Sequence, residues 1–463
     1  MRLIREEKTF IREAVLLMLP MILQNFVTFS MSMADTFMVG VLGETALAAV
    51  TMANSPFYVM QLMIFGVQSG MSVLVAQYHG RGDQEAINRV MGIALFVSTT
   101  ITGLLAITAF CIPKQIMRVL TNNADLVAPG AAYTRYVGFS YFFSAISGVY
   151  IAAQRSTENP RLGAALLTVS GVLNIFLNWV LIYGKLGAPM LGCAGAAVAT
   201  FSSQLISFFI LLFMFLSKKS VTHLRFSAVS KRPAVYGEIV ATGFPSFCRQ
   251  ILSSLCTVLL NWAVKPYGDG AFAAMGVVQK VFMFAFSIAL GIGQGYQPVL
   301  GYNYSAKRFD RVYKAYLFTL VFSTALMTLF AVICAVSAPF IMRGFLEAEE
   351  SMEIGTLALR LQCICMPLLP LNFMAGLTYQ VVGNKALASL LSCSRQGLFY
   401  IPAVLVLPRA FDLFGVQYSQ SVSDLLAFLF AVPFTVMFFK KLRILQKTEG
   451  IRPASEFPPS EEK

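Results

Sequence analysis

LLMLPMILQNFVTFSMSMADTFMVG, which spans residues 16–40, is long and apolar enough to cross a bilayer as one helix. It contains a single acid, Asp35. An ionised side chain at the bilayer centre costs at least about 2.5–3.5 kcal/mol, so an acid inside a spanning helix is by default a functional residue. One polar stripe at helical spacing is formed by Gln24, Thr28, Ser32 and Asp35. The stretch therefore predicts a membrane helix whose polar face lines a watery cavity.

The composition of the whole chain is that of a protein with many membrane spans. Of its 463 residues, 57% are hydrophobic and 12% are charged, and the mean hydropathy is +0.70. A soluble protein carries about a quarter charged residues. The net charge of +13 comes from basic residues in short loops between apolar runs, which is a topology signal and not a nucleic-acid surface. We predict an all-α polytopic membrane protein without a nucleic-acid partner.

Twelve apolar runs of spanning length predict twelve transmembrane helices. They lie at 14–38, 47–75, 88–112, 133–153, 162–184, 191–216, 236–265, 272–300, 313–338, 357–382, 386–408 and 414–439. Lysine and arginine are unevenly distributed, with 24 at the termini and after the even-numbered helices and eight in the opposite loops. Because cytoplasmic loops carry the excess, both termini are predicted to be cytoplasmic.

The two halves of the chain are related by an internal repeat that keeps one register. Pro20 corresponds to Pro245 and Gly66 to Gly291, without gaps across several helices. Since each repeat has six helices, the two are parallel and are expected to clasp a central substrate site. The predicted domains are a cytoplasmic N-terminal segment (1–13), an N-lobe (14–216), a cytoplasmic linker (217–235), a C-lobe (236–446) and a disordered cytoplasmic tail (447–463).

Topology places four polar side chains at a similar depth. Helices 1 and 5 run outward and helix 6 returns, so their outer halves contain Asp35, Asn174, Asn178 and Thr200. A carboxylate, amide oxygens and a hydroxyl can hold Na⁺ or support a protonation site. We predict that these four residues couple a cation or proton, with Asp35, Asn174 and Asn178 as the ligands of Na⁺. From spacing alone, interhelical hydrogen bonds and a wetted Asp35 explain the pattern equally well.

Further polar side chains within the predicted helices are candidates for a substrate cavity. They include intramembrane cations in the second half, and the set is Gln24, Thr28, Asn54, Tyr58, Gln61, Arg249, Gln250, Lys280 and Arg395. Ordinary hydrogen bonds between helices explain any single one of them nearly as well.

Enzyme motifs are missing from the sequence. It has no GxxxxGK[ST], GxSxG or HExxH, and its two histidines, His79 and His223, lie in predicted loops. We therefore expect no catalytic residues, no cofactor and no ATP-driven pump, and a membrane-embedded enzyme or a channel is the least favoured class.

Four stretches together resemble the MATE (multidrug and toxic compound extrusion) family over nearly all twelve helices. They are MADTFMVG at 33–40, VAQYHGRGD at 75–83, NIFLNWVLIYGKLGAPMLGCAGAAVAT at 174–200 and QGYQPVLGYNYSAKRFDRV at 294–312. GFPSFCRQ at 243–250 is similar to the branch around the staphylococcal MepA pump. The resemblance implies the MATE fold and the export of amphipathic, often cationic drugs in antiport with Na⁺ or H⁺.

The same resemblance assigns the first-lobe ion site to Asp35, Asn174, Asn178 and Thr200. NorM-type members have an acid on helix 7, whereas this chain has Ser253 near that position, and helix 10 lacks their aspartate. A second-lobe site of that kind is therefore not expected, and Ser253 joins the cavity candidates.

The predicted mechanism is rocker-switch alternating access between two six-helix lobes. The predicted protein is a monomeric, multi-pass protein of the bacterial inner or plasma membrane. The alternative is a lipid-linked oligosaccharide flippase of the same superfamily, in which Arg249, Lys280 and Arg395 would attract a pyrophosphate head group.

Overall fold

The computed structural model describes residues 2–157, 160–216 and 233–449, and the regular structure in these ranges is helical throughout. Ten helices, α1 to α10, follow the first ten predicted spans. They are Arg2–Gly40, Glu44–Arg81, Gln84–Cys111, Ala124–Thr157, Pro160–Tyr183, Cys193–Leu216, Pro233–Val264, Asp269–Ser305, Phe309–Arg343 and Glu349–Val382. A short helix, Pro113–Leu120, lies between α3 and α4.

The last helical stretch contains two membrane helices joined by a sharp kink. Lys385–Thr448 is 64 residues long, or about 96 Å as a straight helix, which is roughly three bilayer cores. Its direction changes at Phe411 and Asp412, where Asp412 has a φ of 48°. Gly415 permits the tight turn, because a Cβ there would overlap the carbonyl of Leu407. We call the parts before and after the kink α11 and α12, so the prediction of twelve helices is confirmed.

Two predicted segments fall largely outside the described residues. Of the linker 217–235, the structure describes only the part from Pro233, which begins α7, and of the tail 447–463 it describes residues 447–449. Those three residues continue α12 and are helical, unlike the predicted disordered tail. Lys447 in the last turn favours this extension, because its charge interacts well with the helix C-terminus.

The described residues form two compact units. The N-unit comprises Leu17–Val75 and Gln84–Gln250, and the C-unit comprises the described parts of Met1–Leu16, Ala76–Asp83 and Ile251–Lys463. Three helices are divided between the two units. The beginning of α1 and the end of α2 belong to the C-unit, and the first half of α7 belongs to the N-unit. The lobe boundaries of the sequence repeat stay a prediction.

One core contact occurs once in each unit, at positions that are equivalent in the repeat. Met117 packs against Gly130 and Met342 packs against Gly355, so that a Cβ on either glycine would meet the methionine side chain. Both methionines are fully buried. Met117 lies in the short helix Pro113–Leu120, whereas Met342 lies at the end of the continuous α9. The repeat therefore preserves the packing even where the helix boundaries differ.

Candidate functional site

The C-terminal half of α1 is held against α5 at two levels. A Cβ on Gly171 would lie 3.2 Å from the Val27 side chain and 3.4 Å from the Met31 sulfur, so the glycine allows close packing. Further along, the Tyr183 hydroxyl donates to the carbonyl of Met38 at 2.9 Å. Between these levels the two helices remain adjacent, and side chains of α5 reach α1.

The start of α6 is fixed against the end of α5 by its backbone. The Leu191 N–H donates to the carbonyl of Leu181 at 2.9 Å, and a Cβ on Gly195 would lie 2.6 Å from that oxygen. Only glycine permits this approach. The contact brings the second turn of α6 beside the asparagines of α5.

Within this three-helix frame the four predicted coupling residues form one continuous hydrogen-bonded chain. The Thr200 hydroxyl donates to the carbonyl of Ala196 at 2.9 Å and accepts from Asn174 Nδ2 at 3.2 Å. Asn178 Nδ2 donates both to Asn174 Oδ1, at 3.2 Å, and to Asp35 Oδ1. The structure thus brings together residues from α1, α5 and α6, and the chain ends on the carboxylate.

The chain leaves unused acceptor capacity next to that carboxylate. Asn174 and Asn178 are fully buried, whereas Asp35 is half-buried. Asn178 Oδ1 is buried and has no hydrogen-bond partner among the described residues. An unsatisfied buried acceptor carries a free-energy cost, and a cation or a protonated group can remove it. Carboxylate and amide oxygens are also the ligands that hard cations prefer.

Replacing Thr200 with valine is expected to lower stability without a change in side-chain size. The substitution leaves Asn174 Nδ2 without its acceptor, which costs about 1–3 kcal/mol at a buried site. Thr168→Val is the matched control, because the Thr168 hydroxyl donates to the Ala164 carbonyl of its own helix, at 2.8 Å. Thermal unfolding in detergent should show a clearly larger decrease for Thr200→Val. Equal decreases would mean that the Asn174–Thr200 bond contributes nothing.

A second polar cluster in the N-unit contains residues that the sequence did not indicate. Asn54 on α2 donates to the Tyr133 hydroxyl at 2.9 Å and accepts from the Tyr141 hydroxyl at 3.5 Å. The ring of Tyr141 stacks on Phe57, with centroids 5.2 Å apart. Both tyrosines lie on α4, where no polar stripe marks them.

The remaining cavity candidates of the N-unit differ in exposure. Tyr58 and Gln61 are exposed and Gln24 is half-buried. The Thr28 hydroxyl bonds the Gln24 carbonyl of its own helix at 2.9 Å. Arg249 and Gln250 on α7 also belong to the N-unit.

The C-unit candidates differ in exposure. Lys280 is exposed and Ser253 is half-buried. Arg395 is buried and forms an ion pair with Asp424, with 2.7 Å between Nε and Oδ1. The predicted role of these residues in a substrate cavity stays a prediction.

Asp424 is a charged residue that the sequence interpretation missed. It is the one acid in the predicted span 414–439, so the signal that identified Asp35 applied to it as well. The pairing with Arg395 has no such local signal, because the two residues lie on different helices.

A sequence profile of the MatE family matches the chain twice, over residues 20–180 and 245–405. The second match begins at the position of Pro245, the counterpart of Pro20, so the two matches share the register of the internal repeat and confirm it. Together they cover well over half of the chain.

Named relatives are found among bacterial proteins. Multidrug export protein MepA of Staphylococcus saprophyticus is 21% identical over 418 residues, which are 89% of this chain and 90% of that protein. Probable multidrug resistance protein YoeA of Bacillus subtilis is 28% identical over 307 residues, which are 65% of this chain and 66% of that protein. The chain therefore covers just under two thirds of the length of the Bacillus relative.

Solved structures share the fold. A crystal structure of MATE in complex with MaL6 has a TM-score of 0.86 at 20% identity and covers 95% of this chain and 98% of that one. An outward-facing multidrug resistance MATE family transporter of the MOP superfamily has a TM-score of 0.85 at 21% identity, with coverages of 95% and 97%. At these identities the likeness shows a common architecture.

Proposed function

The chain belongs to the MatE family, and we propose that it is a secondary active transporter that exports drugs in exchange for Na⁺ or H⁺. The names of the relatives support drug export, since they include Multidrug export protein MepA and Probable multidrug resistance protein NorM of Thermotoga maritima.

The observation that carries the proposal is the hydrogen-bonded chain that ends on Asp35. A carboxylate in a spanning helix is unfavourable unless a cation or a proton neutralises it. The buried Asn178 Oδ1 adds a free acceptor beside it. These groups can hold one small cation, and protonation of Asp35 is the other way to neutralise the site.

Coupling requires that the ion and the drug bind the two conformations with different affinities. An ionised Asp35 favours a state in which water reaches the site. Binding of Na⁺ or H⁺ neutralises the carboxylate, favours repacking of α1 near Pro20 and lowers the affinity for the drug. In this rocker-switch cycle the two repeats alternate between opening to one side of the membrane and to the other.

The substrates we propose are amphipathic and mostly cationic. The chain has 40 phenylalanines and 22 methionines, and such side chains make adaptable apolar surfaces. We also propose a monomer in the bacterial plasma membrane with both termini in the cytoplasm, as the lysine and arginine distribution favours.

The flippase alternative is less well supported. It depends on intramembrane cations that are free to bind a pyrophosphate group. Arg395, one of the three such residues, is instead neutralised by Asp424.

Dye export from proteoliposomes tests the proposed function. The wild-type protein should move a cationic dye under an inward gradient of either Na⁺ or H⁺, each applied alone at a clamped membrane potential. Empty liposomes provide the background. A response to one gradient identifies the coupling ion, whereas no response to either, or an ion current without dye, would overturn the proposal.

A further inference from the structure

A buried polar cluster in the C-unit is not used by the coupling site. Arg395 on α11 and Asp424 on α12 have side chains that are 9% and 1% exposed. Gln420 Nε2 donates to the same oxygen, Asp424 Oδ1, at 2.8 Å. On the other side, the guanidinium of Arg395 lies over two rings of α8, 5.1 Å from the centroid of Phe282 and 5.6 Å from that of Phe286.

The ion pair consists of one contact, and both partners have buried polar atoms that it does not use. Arginine and carboxylate groups that pair structurally commonly form two parallel hydrogen bonds. Here only Nε and Oδ1 meet, while Arg395 Nη2 and Asp424 Oδ2 are buried without a hydrogen-bond partner in the described chain. Gln396 Oε1 is likewise buried and has no hydrogen-bond partner among the described residues. Such unsatisfied atoms are rare in native interiors, and here they show that the ion pair does not use all of the hydrogen-bonding capacity of its two partners.

The surroundings of the guanidinium have the chemistry of an organic-cation site. Aromatic faces attract lipophilic cations through the ring quadrupole, and they are the usual walls of sites for quaternary ammonium groups. Phe282 and Phe286 are four residues apart on α8 and present adjacent rings. With the Asp424 carboxylate they form a surface that fits a delocalised positive charge. We call these three residues the C-unit cation box.

Arg395 lies on a segment with an unusual helical geometry. Residues Ser394–Tyr400 form a π-helix, a rare conformation that is frequent at functional sites. Side chains of other helices hold its carbonyls, since Ser423 Oγ donates to the Arg395 carbonyl at 2.5 Å and Cys256 Sγ to that of Gln396 at 3.4 Å. The segment that carries Arg395 therefore departs from regular α-helical hydrogen bonding, and neighbouring helices complete its bonds.

The position of the box in the repeat also favours a binding role. Helices α11 and α12 correspond in the repeat to α5 and α6, and these carry three of the four coupling residues of the N-unit. The register that relates Pro20 to Pro245 also relates Ser170 to Arg395, and Ser170 lies one helical turn before Asn174. Among the described residues, Asp35 forms no ion pair with a basic side chain, whereas Asp424 is paired with Arg395.

We propose that the C-unit cation box is a binding site for lipophilic organic cations, and that Arg395 occupies it as an internal cation when no ligand is bound. The ligand and the guanidinium compete for the same rings and carboxylate. This proposal rests on the proposed function only for the class of ligand.

Equilibrium binding of tetraphenylphosphonium to the purified full chain in nanodiscs tests the proposal. Arg395→Gln removes the internal competitor and should tighten binding about tenfold, because the box is then available in every molecule. Arg395→Lys retains a cation and should bind as the wild type does. Adding Asp424→Asn or Phe282→Leu to Arg395→Gln should abolish the gain. A purely structural ion pair predicts no gain in affinity from Arg395→Gln, and that result would overturn the proposal.

Tetraphenylborate, which has the same shape and the opposite charge, controls for hydrophobic adsorption. It should not gain affinity in Arg395→Gln. A gain for both probes would mean that the substitution only opens an apolar surface, which contradicts the proposal.

If Arg395→Gln does not fold, the Phe282→Leu substitution alone provides the test. It leaves the ion pair intact and should weaken tetraphenylphosphonium binding about threefold, as the loss of one cation–π contact does. Phe284→Leu is the matched control, because Phe284 lies on the same helix and its ring packs against Phe330. Equal affinities of the two variants would overturn the proposal.

Binding and transport can fail independently in these experiments. Equilibrium binding needs no ion gradient, and the roughly tenfold gain that Arg395→Gln gives over the arginine form should persist when both carry Asp35→Asn. If Arg395→Gln binds more tightly but gradient-driven export is not observed, the proposed function is disproved and the proposed cation site stands. If export is observed but Arg395→Gln does not change binding, the cation site is disproved and the proposed function stands.

Discussion

Asp35→Asn is expected to abolish gradient-driven export while leaving a folded protein. Asparagine keeps an acceptor oxygen for Asn178 Nδ2, so the hydrogen-bonded chain with Asn174 and Thr200 can persist. It cannot carry the negative charge that a cation or proton neutralises. Export by proteoliposomes should fall to the background of empty liposomes under both the Na⁺ and the H⁺ gradient.

Two controls separate loss of coupling from loss of structure. Ser32→Ala changes an exposed residue of the same polar stripe and should export normally. Asp35→Asn should elute as the wild type does in size-exclusion chromatography. Normal export by Asp35→Asn would show that the carboxylate is a wetted polar group and that the ion is coupled elsewhere.

The second large effect is expected at a close contact between α2 and α7 inside the N-unit. Ser69 Oγ and Ser246 Oγ are hydrogen-bonded at 2.8 Å, and both side chains are buried. A Cβ on Gly243 would overlap the carbonyl of Gly66, and one on Gly70 would overlap that of Ile239. The helix backbones therefore touch, as small residues allow in membrane helices.

This contact joins helices of different repeats. α2 belongs to the first repeat and α7 begins the second, although the first half of α7 packs in the N-unit. If the repeats rock against each other during transport, the contact has to separate in every cycle. A covalent link across it should hold the protein in one state.

The double variant Ser69→Cys/Ser246→Cys should lose export when oxidised and regain it when reduced. The short distance between the hydroxyl oxygens places the two Cβ atoms within reach of a disulfide. Dye export from proteoliposomes is measured after oxidation and again after dithiothreitol, with cross-linking quantified by mass spectrometry.

Each single variant and the oxidised wild type, which has eight native cysteines, serve as controls and should export throughout. Full export by a quantitatively cross-linked double variant would exclude separation of α2 and α7 as part of the cycle.

Much of the fold could be predicted because the tendency of a segment to span the membrane depends on its own local sequence. Runs of about twenty apolar residues must become helices, since the bilayer offers no partners for free backbone groups. The helix bounds nevertheless extend beyond the apolar runs, as in α1 and α2, because helices continue into water. The kink at Phe411 and Asp412 lies between the last two predicted spans, although helical hydrogen bonding continues through it.

The candidate ion site was also predictable in part. Depth in the membrane follows from topology, so Asp35, Asn174, Asn178 and Thr200 could be placed at one level. Their hydrogen-bond partners could not, because the Asn178–Asp35 bond joins residues 143 positions apart. Tyr133 and Tyr141, which contact Asn54, could not be predicted, because no polar stripe in the sequence marks them.

The twelve helices, the repeat and the acids inside apolar spans could be identified from the sequence alone, because hydropathy and residue spacing are local properties of the chain. Two features follow only from the folded structure, namely that Arg395 pairs with Asp424 and lies over two aromatic rings, and that the first half of α7 packs in the N-unit. Both features depend on which faces of the helices are in contact and on how closely glycine residues allow the helices to approach each other. Such contacts arise from packing in three dimensions, and no local pattern encodes them.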